Sequence, residues 1–321
     1  MTMSLFPLAL HLDYLHTQLN ANLSRSPHDY LRDPHHAWLQ DRQSYIDHLV
    51  RPLDESIDMR MGRQVASDAF LAILGEVLPW DSRFFGYTVA RIDQILLTPM
   101  LPIETLKSAL REYATWAQGG GVRYLFARVD SAEVAAIQSL CLAGYTLIET
   151  RHTYYCPLAD YAHERYPVRA ATPEDLPYLQ ETARVMINPY DRFHADPFIN
   201  PKTADALMEQ WVKASIAEGF ADRVLVPDVH QPKALATVRT FQKQWDGWGR
   251  KMGQLTFGAV QPSFKGWYSK LISEANYWLR DTAGADMCLF TTQAANQAAI
   301  RSVEKLGFRF GKSEHIFRIL L

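Results

Sequence analysis

Residues 135–145 read AAIQSLCLAGY and residues 298–308 read AAIRSVEKLGF, so the chain writes nearly one line twice. The separation of the copies, 300 − 137 = 163 from Ile137 to Ile300, constrains the fold more than any other feature. The same shift pairs Pro99 with Pro262, Lys107 with Lys270, Gly121 with Gly284, Ala132 with Ala295, Ser139 with Ser302, Gly144 with Gly307 and His152 with His315, all without a gap. Coincidence yields scattered identities, but it does not keep every expected helix and strand in step as well. Each copy reads loop, helix, strand, helix, strand, and duplication is the better account. A chain of 321 residues, 48% of them hydrophobic, has material for two cores.

Periodicity fills in the rest. The stretch LPWDSRFFGYTVARIDQILL reads as a turn and a strand, IETLKSALREYATWAQ as a helix closed by Gly119-Gly120-Gly121, and VRYLFARV as a buried strand. A fresh start follows at YPVRAATPED, where Thr172 is placed to cap a helix with Pro173 at its first position. RVLVPD, ALATVRTF, GQLTFGAV and MCLFTT are strand candidates; SKLISEANYWLRDTAG and NQAAIRSVEKLG are helices. Residues 1–77, polar and broken at Pro27, Pro34 and Pro52, are expected to be a helical extension, residues 78–160 a truncated first copy, and residues 161–321 the complete second one. The fold class is α/β with mixed sheets flanked by helices.

A formal charge of −2 gives no chain-wide attraction to nucleic acid or anionic lipid, so any anion site must be local. No apolar run reaches the roughly 18–20 residues needed to span a bilayer, and a cytoplasmic location is expected. Cys141, Cys156 and Cys288 match neither a metal spacing nor a paired disulfide set, and Cys141 and Cys288 are expected to be buried thiols. The histidines of the first 77 residues, His35-His36 among them, lack a partner at ligand spacing, so no metal is expected.

The line NQAAIRSVEKLGF, on a helix between two strands, resembles the Asn-x-x-Ala-Ile motif of the GNAT superfamily of acyl-CoA-dependent N-acetyltransferases, and VQPSFKGWYSKLI looks like its pyrophosphate loop. LPWDSRFFG and DRFHAD look most like the TDP-fucosamine N-acetyltransferase branch. The resemblance implies acetyl-CoA as co-substrate and, as acceptor, a small-molecule amine such as a nucleotide-linked amino sugar. Two other readings stand beside it: acetylation of a protein or peptide amine, and a non-catalytic acyl-CoA-binding scaffold. Neither nucleic acid nor membrane is an expected partner; a homodimer is.

By the same resemblance, Lys265, Gly266, Trp267, Tyr268 and Asn296 bind the coenzyme, and Ala259 and Val260 offer backbone N–H groups to the thioester carbonyl where two parallel strands splay. The family's general-acid tyrosine is replaced by Val303, leaving Tyr268 and Ser302 as candidate donors. His194, with Asp191 or Asp196, is the candidate base for the acceptor amine. Shifted back by 163, Lys265-Gly266 become Pro102-Ile103 and Asn296 becomes Glu133, so the first copy should bind no coenzyme.

Overall fold

The computed structural model describes residues 4–23, 25–32, 36–54, 57–66, 69–97, 101–186 and 188–321; Pro34, His35 and Pro99 lie outside them. In chain order the first copy contains β1 (Phe6–Pro7), α1 (Leu12–Asn22), α2 (Trp38–Val50), β2 (Met61–Ala66), β3 (Ala69–Val77), α3 (Pro79–Phe85), β4 (Thr88–Leu97), α4 (Ile103–Gly119), β5 (Val122–Asp130), α5 (Val134–Ala143) and β6 (Thr146–Pro157). The second contains β7 (Val168–Ala170), α6 (Leu176–Val185), α7 (Pro201–Ala217), β8 (Arg223–Pro227), β9 (Ala234–Arg239), α8 (Trp245–Trp248), β10 (Met252–Val260), α9 (Trp267–Trp278), β11 (Met287–Gln293), α10 (Gln297–Lys305) and β12 (Arg309–Leu320).

Every element of the first copy has its counterpart in the second at the same 163-residue shift, most starting within two residues: α2 at Trp38 maps onto α7 at Pro201, and β6 at Thr146 onto β12 at Arg309. The first copy is therefore not truncated, and residues 1–77 are not a helical extension. They hold its opening strand and two helices, then β2 and β3. The apolar run AFLAILGEV is a strand because its side chains divide between two cores: Leu71 and Ile73 join one cluster, Phe70, Ala72 and Leu74 the other. The segment PWDSRFF, read as a turn, is the short helix α3, with Pro79 at its start and Gly86 closing it at φ 73°.

The chain divides into two compact units, Met1–Asp29 with Trp38–Thr150 and Ser313–Leu321, and Tyr30–Ala37 with Arg151–Lys312. The division crosses the two copies, because their last strands are exchanged. In the first unit the sheet order is β1-β2-β3-β4-β5-β12, and Glu314–Leu320 run antiparallel to Tyr124–Asp130. In the second the order is β6-β11-β10-β9-β8-β7, and Arg151–Pro157 run antiparallel to Met287–Gln293. Helices cover both faces of each sheet. In the first unit α4 and α5 enclose Leu110, Tyr113, Leu140 and, from β12, Phe317, while α1 and α2 close the other face with Leu15, Leu19 and Ile46. In the second unit α9 and α10 enclose Leu255, Leu271, Phe290, Ile300 and Val303 together with Tyr154 from β6.

Candidate active site

Strands β10 and β11 pair in parallel from Met252 and Met287 as far as Leu255 and Phe290, and no farther. Beyond that point β10 stays bonded to β9 through Val260, β11 stays bonded to β6 through Gln293, and the two diverge. A bulge between Leu255 and Phe257, which leaves Thr256 unpaired, bends β10 where the gap opens. The expected splay is thus present in the second unit.

Register decides which backbone donors face the gap. Gln261 N–H donates to Lys233 C=O at 2.9 Å, and Val260 stands opposite Ala234. Bonded pairs recur at every second residue of an antiparallel ladder, so Ala259 spends its N–H on β9, whereas Val260 and Gly258 turn theirs toward the gap. Of the two residues expected from the sequence, Val260 turns its N–H toward the gap and Ala259 does not, while Gly258 does.

The loop beyond β10 ends in Gly266, the residue before α9, at φ 93°; a Cβ there would meet only open space, so backbone conformation is what calls for glycine. Trp267 to Ser269 form the first turn of α9, whose N–H groups have no intrahelical acceptor, and the helix dipole adds positive potential at the same end. Lys265 is exposed beside this turn, and Trp267 packs against the core with Lys270 Nζ 5.0 Å from its ring centroid. Tyr268 turns inward: a Cβ on Gly258 would lie 2.9 Å from its Cε2, so the missing side chain admits the phenol ring against β10 beside the gap. Burial pushes the Tyr268 pKa well above the usual phenol range, which keeps its proton in place.

The other expected residues fall out differently. Val303 is wholly buried in the core, and Ser302 donates its hydroxyl to Ala298 C=O at 2.8 Å, a bond internal to α10. Asn296 caps α10, its side-chain oxygen accepting from Ala299 N–H at 3.2 Å. His194 sits between two carboxylates, with Nδ1 2.7 Å from Asp191 and Nε2 3.2 Å from Asp205. Only the imidazolium donates from both nitrogens, and the Asp191 hydrogen bond raises the His194 pKa against the opposing effect of burial, with Asp205 adding to the rise. Both ring nitrogens are thus engaged by carboxylates, and the ring clasps the loop between α6 and α7 to α7. Asp196, the other partner considered, accepts from Phe198 N–H.

That loop reaches the mouth of the splay. Asn188 Nδ2 donates to Gln293 Oε1 at the end of β11 (3.0 Å), Gln261 Nε2 donates to Thr182 Oγ1 on α6 (3.2 Å), and Phe193 packs on Trp211, which stacks on Phe257 of β10. Phe193, Trp245 and Trp248 pack within the protein, whereas Tyr190 is exposed. His315 bonds to Thr150 and His152 packs edge-on against Phe310, as structural histidines do. Cys288 is buried opposite Cys156, but Cys141, expected to be buried, is exposed because it falls on the outer face of α5. Among the described residues no cluster of metal-ligating side chains occurs and no helix is long and apolar enough to cross a membrane.

The first unit splays at the same register: β4 and β5 pair as far as Ile92 and Ala127, with a bulge at Asp93. There, however, Arg128 reaches Asp93 at 3.0 Å across the opening, and Arg91 bonds Asp93 and Glu76. Tyr45 lies in this cluster, its pKa pushed up to about 12 by burial and then by Asp93. The second unit has Gln254, Thr256 and Thr291 at the corresponding positions, held by neutral hydrogen bonds: Gln254 donates to Thr291, Thr291 pairs with Thr153, and Thr256 pairs with Thr237. Pro102 precedes α4 where Gly266 precedes α9, which removes one backbone donor. This asymmetry was legible only in part, since the threonines carry no motif.

Two units, each with a mixed sheet between helices and a parallel pair that splays, define a tandem fold of the GCN5-related N-acetyltransferase (GNAT) type. The glucosamine N-acetyltransferase region of a fungal multi-domain GH3 β-N-acetylglucosaminidase superposes with a TM-score of 0.62 at 9% identity, over 99% of this chain and 38% of that one. A tandem GNAT protein from the clavulanic acid biosynthesis pathway matches end to end, with TM-score 0.55, 14% identity, and 99% and 98% of the two chains covered. A GCN5-related N-acetyltransferase from Sphaerobacter thermophilus matches with TM-score 0.54 at 12% identity, covering 80% and 82%. No protein-family model and no curated protein matches the sequence. At these identities the likeness establishes the fold.

Proposed function

We propose that the chain is an N-acetyltransferase that takes acetyl-CoA as co-substrate, acetylates a primary amine of a small molecule, and works through its second copy. The observation that carries the reading is the end of β10–β11 pairing at Leu255 and Phe290, which leaves backbone donors unspent beside a cleft. The residues present fit an acyl-CoA: a gap for a narrow chain, Val260 and Gly258 N–H groups at its wall, and the positive end of α9 behind the left-handed Gly266 for a diphosphate. Acetyl-CoA supplies an activated acyl group on a thiol. Val260 N–H is placed to stabilise negative charge developing on the carbonyl oxygen, in a setting where fixed dipoles need no reorganisation. Tyr268, kept protonated by burial beside Gly258, is the better of the two candidate donors to the departing sulfur, because Ser302 is bonded within its own helix. Lys265 and Trp267 flank the diphosphate end, and Asn296 contributes by fixing the start of α10. The loop from Asn188 to Phe198, clasped by His194, walls the acceptor side.

The acceptor belongs to the same proposal. The likeness of LPWDSRFFG and DRFHAD to TDP-fucosamine N-acetyltransferases supports an amino sugar on a nucleotide carrier. Isothermal titration with acetyl-CoA, followed by a thiol-release assay over amino sugars, nucleotide-linked amino sugars and peptides, tests the whole reading. Release with an amino sugar supports it, and release only with peptides moves the acceptor to protein. Binding with release on no amine favours a second reading, an acyl-CoA-binding scaffold, whose support is the burial of aliphatic Val303 where the family keeps its acid.

A further inference from the structure

Pairing between β10 and β11 ends at Leu255 and Phe290, so Thr256 and Thr291 are the first residues on the two lips of the gap. Leu255 and Phe290 point into the core under α9 and α10, and alternation along the strands turns Thr256 and Thr291 to the opposite face. There Thr256 bonds Thr237, whose neighbours Ala236 and Val238 belong to that core. On the same face Trp211 of α7 stacks on Phe257, beside the loop from Asn188 to Phe198. Both lip threonines stay half-buried although they lie on interior strands of their sheet, so the helices leave this spot uncovered.

The first copy shows the same two lips tied together. Its last paired residues are Ile92 and Ala127, and the next ones, Asp93 and Arg128, form an ion pair of 3.0 Å across the opening. A bulge leaves Asp93 out of the ladder as another leaves Thr256 out, so strand pairing itself equates the positions. In the second copy no hydrogen bond joins Thr256 to Thr291. Thr291 is occupied, since it accepts from Gln254 Nε2 and bonds Thr153 at 3.2 Å. Thr256 is bonded on one side only. Thr237 Oγ1 lies 3.3 Å from Phe257 C=O and 2.8 Å from Thr256 Oγ1, and a hydroxyl has a single hydrogen to give. Both bonds form only when Thr237 donates to the carbonyl and Thr256 donates to Thr237. The hydrogen of Thr256 is then spent inward, and what its oxygen offers to the opening is lone pairs.

We propose that Thr256 holds the acceptor: its Oγ1 accepts one N–H of the incoming primary amine, which leaves the nitrogen lone pair to point into the gap. The inference rests on the acetyl-transfer reading and adds the residue that orients the nucleophile. A group able only to accept engages a hydrogen of the amine and never its lone pair. A carboxylate in this place, as Asp93 is in the first copy, would favour the ammonium form, which has no lone pair to offer. Transfer forms the C–N bond and breaks the C–S bond; the amine loses one proton and the leaving sulfur gains one.

The test follows acceptor and coenzyme separately in wild type, in Thr256→Val, which removes the oxygen at nearly constant shape, and in Thr256→Ser, which keeps it. Saturation-transfer NMR measures binding of glucosamine, a TDP-linked amino sugar and a lysine peptide in the absence of coenzyme. Calorimetry measures acetyl-CoA, and thiol release gives kcat/KM for the acceptor used best. Thr256→Val should weaken that acceptor and lower its kcat/KM roughly 5- to 100-fold, the loss expected when an N–H is left without its partner, while acetyl-CoA affinity holds. Thr256→Ser should retain most of the wild-type value. Failure of wild type to bind acetyl-CoA, or to release thiol with any of the three acceptors, would overturn the transfer reading and this one with it. Turnover in wild type with acceptor binding and kcat/KM unchanged in Thr256→Val would overturn this one alone, as would a loss in Thr256→Ser equal to that in Thr256→Val.

Discussion

Strand exchange predicts that a substitution in one copy weakens the other. Phe317 belongs to the second copy by sequence, yet it is 1% exposed within the core of the first unit, and its backbone stands opposite Ala127 of β5. Phe317→Ala removes a wholly buried ring and should cost about 3–5 kcal/mol. Each 1.4 kcal/mol is tenfold, so the opening of the first unit should become roughly 10²- to 10⁴-fold more frequent. Hydrogen-exchange mass spectrometry reads this by segment, since protection reports local opening free energy. Peptides covering 88–97 and 122–130 should lose protection, while those covering 252–260 and 287–293 keep theirs. Tyr154→Ala should do the reverse, because Tyr154, from the first copy, packs in the core of the second unit opposite Phe290. Loss of protection at 287–293 with 122–130 unaffected, on changing Phe317, would refute the exchange.

Three further outcomes follow from the site. Tyr268→Phe should lower kcat by about 10²-fold, the lower end for loss of a general acid, with little change in acetyl-CoA affinity, whereas Ser302→Ala should leave kcat as it was; stopped thiol-release assays compare them. Gly266→Val forces a β-branched residue to φ 93°, at a cost of about 1–2 kcal/mol, and should weaken acetyl-CoA in calorimetry while lowering the melting temperature. The His194 pKa is raised in the folded state, so its contribution to stability is complete below the unfolded value near 6.5 and is lost as pH rises through the folded value. The melting-temperature gap between wild type and His194→Gln should therefore be widest in mild acid and shrink in alkali; a gap that widens with pH would contradict the clasp.

Much of this was legible in the sequence. The repeat gave the tandem architecture because glycines and small residues at helix ends, such as Gly144 and Gly307, are held by backbone conformation and survive drift. Parallel strands QLTFGAV and MCLFTT, and the helix between them, followed from apolar periodicity. The opening of the first copy did not, because the identities at the 163-residue shift fade there, and an apolar run such as AFLAILGEV suits a strand or a helix equally well. Exchange of β6 and β12 left no trace either, since alternation tells a strand which face to bury and not which neighbour to join. His194 reads as a base because Asp191 is close in sequence; Asp205, eleven residues on, engages the second ring nitrogen, and only the turn of α7 brings it there.

The crossing of the last strands also orders events in time. A ribosome that has finished β11 has already supplied every helix of the first unit and all of its sheet except one strand, and the missing piece, Glu314–Leu320, must find Tyr124–Asp130 across a long loop of intervening chain. Contacts so remote along the polypeptide close slowly. The half that is made first is thus the half that must wait, and a chaperone or protease meeting the nascent protein would find the flank of β5 uncovered until synthesis has passed residue 320.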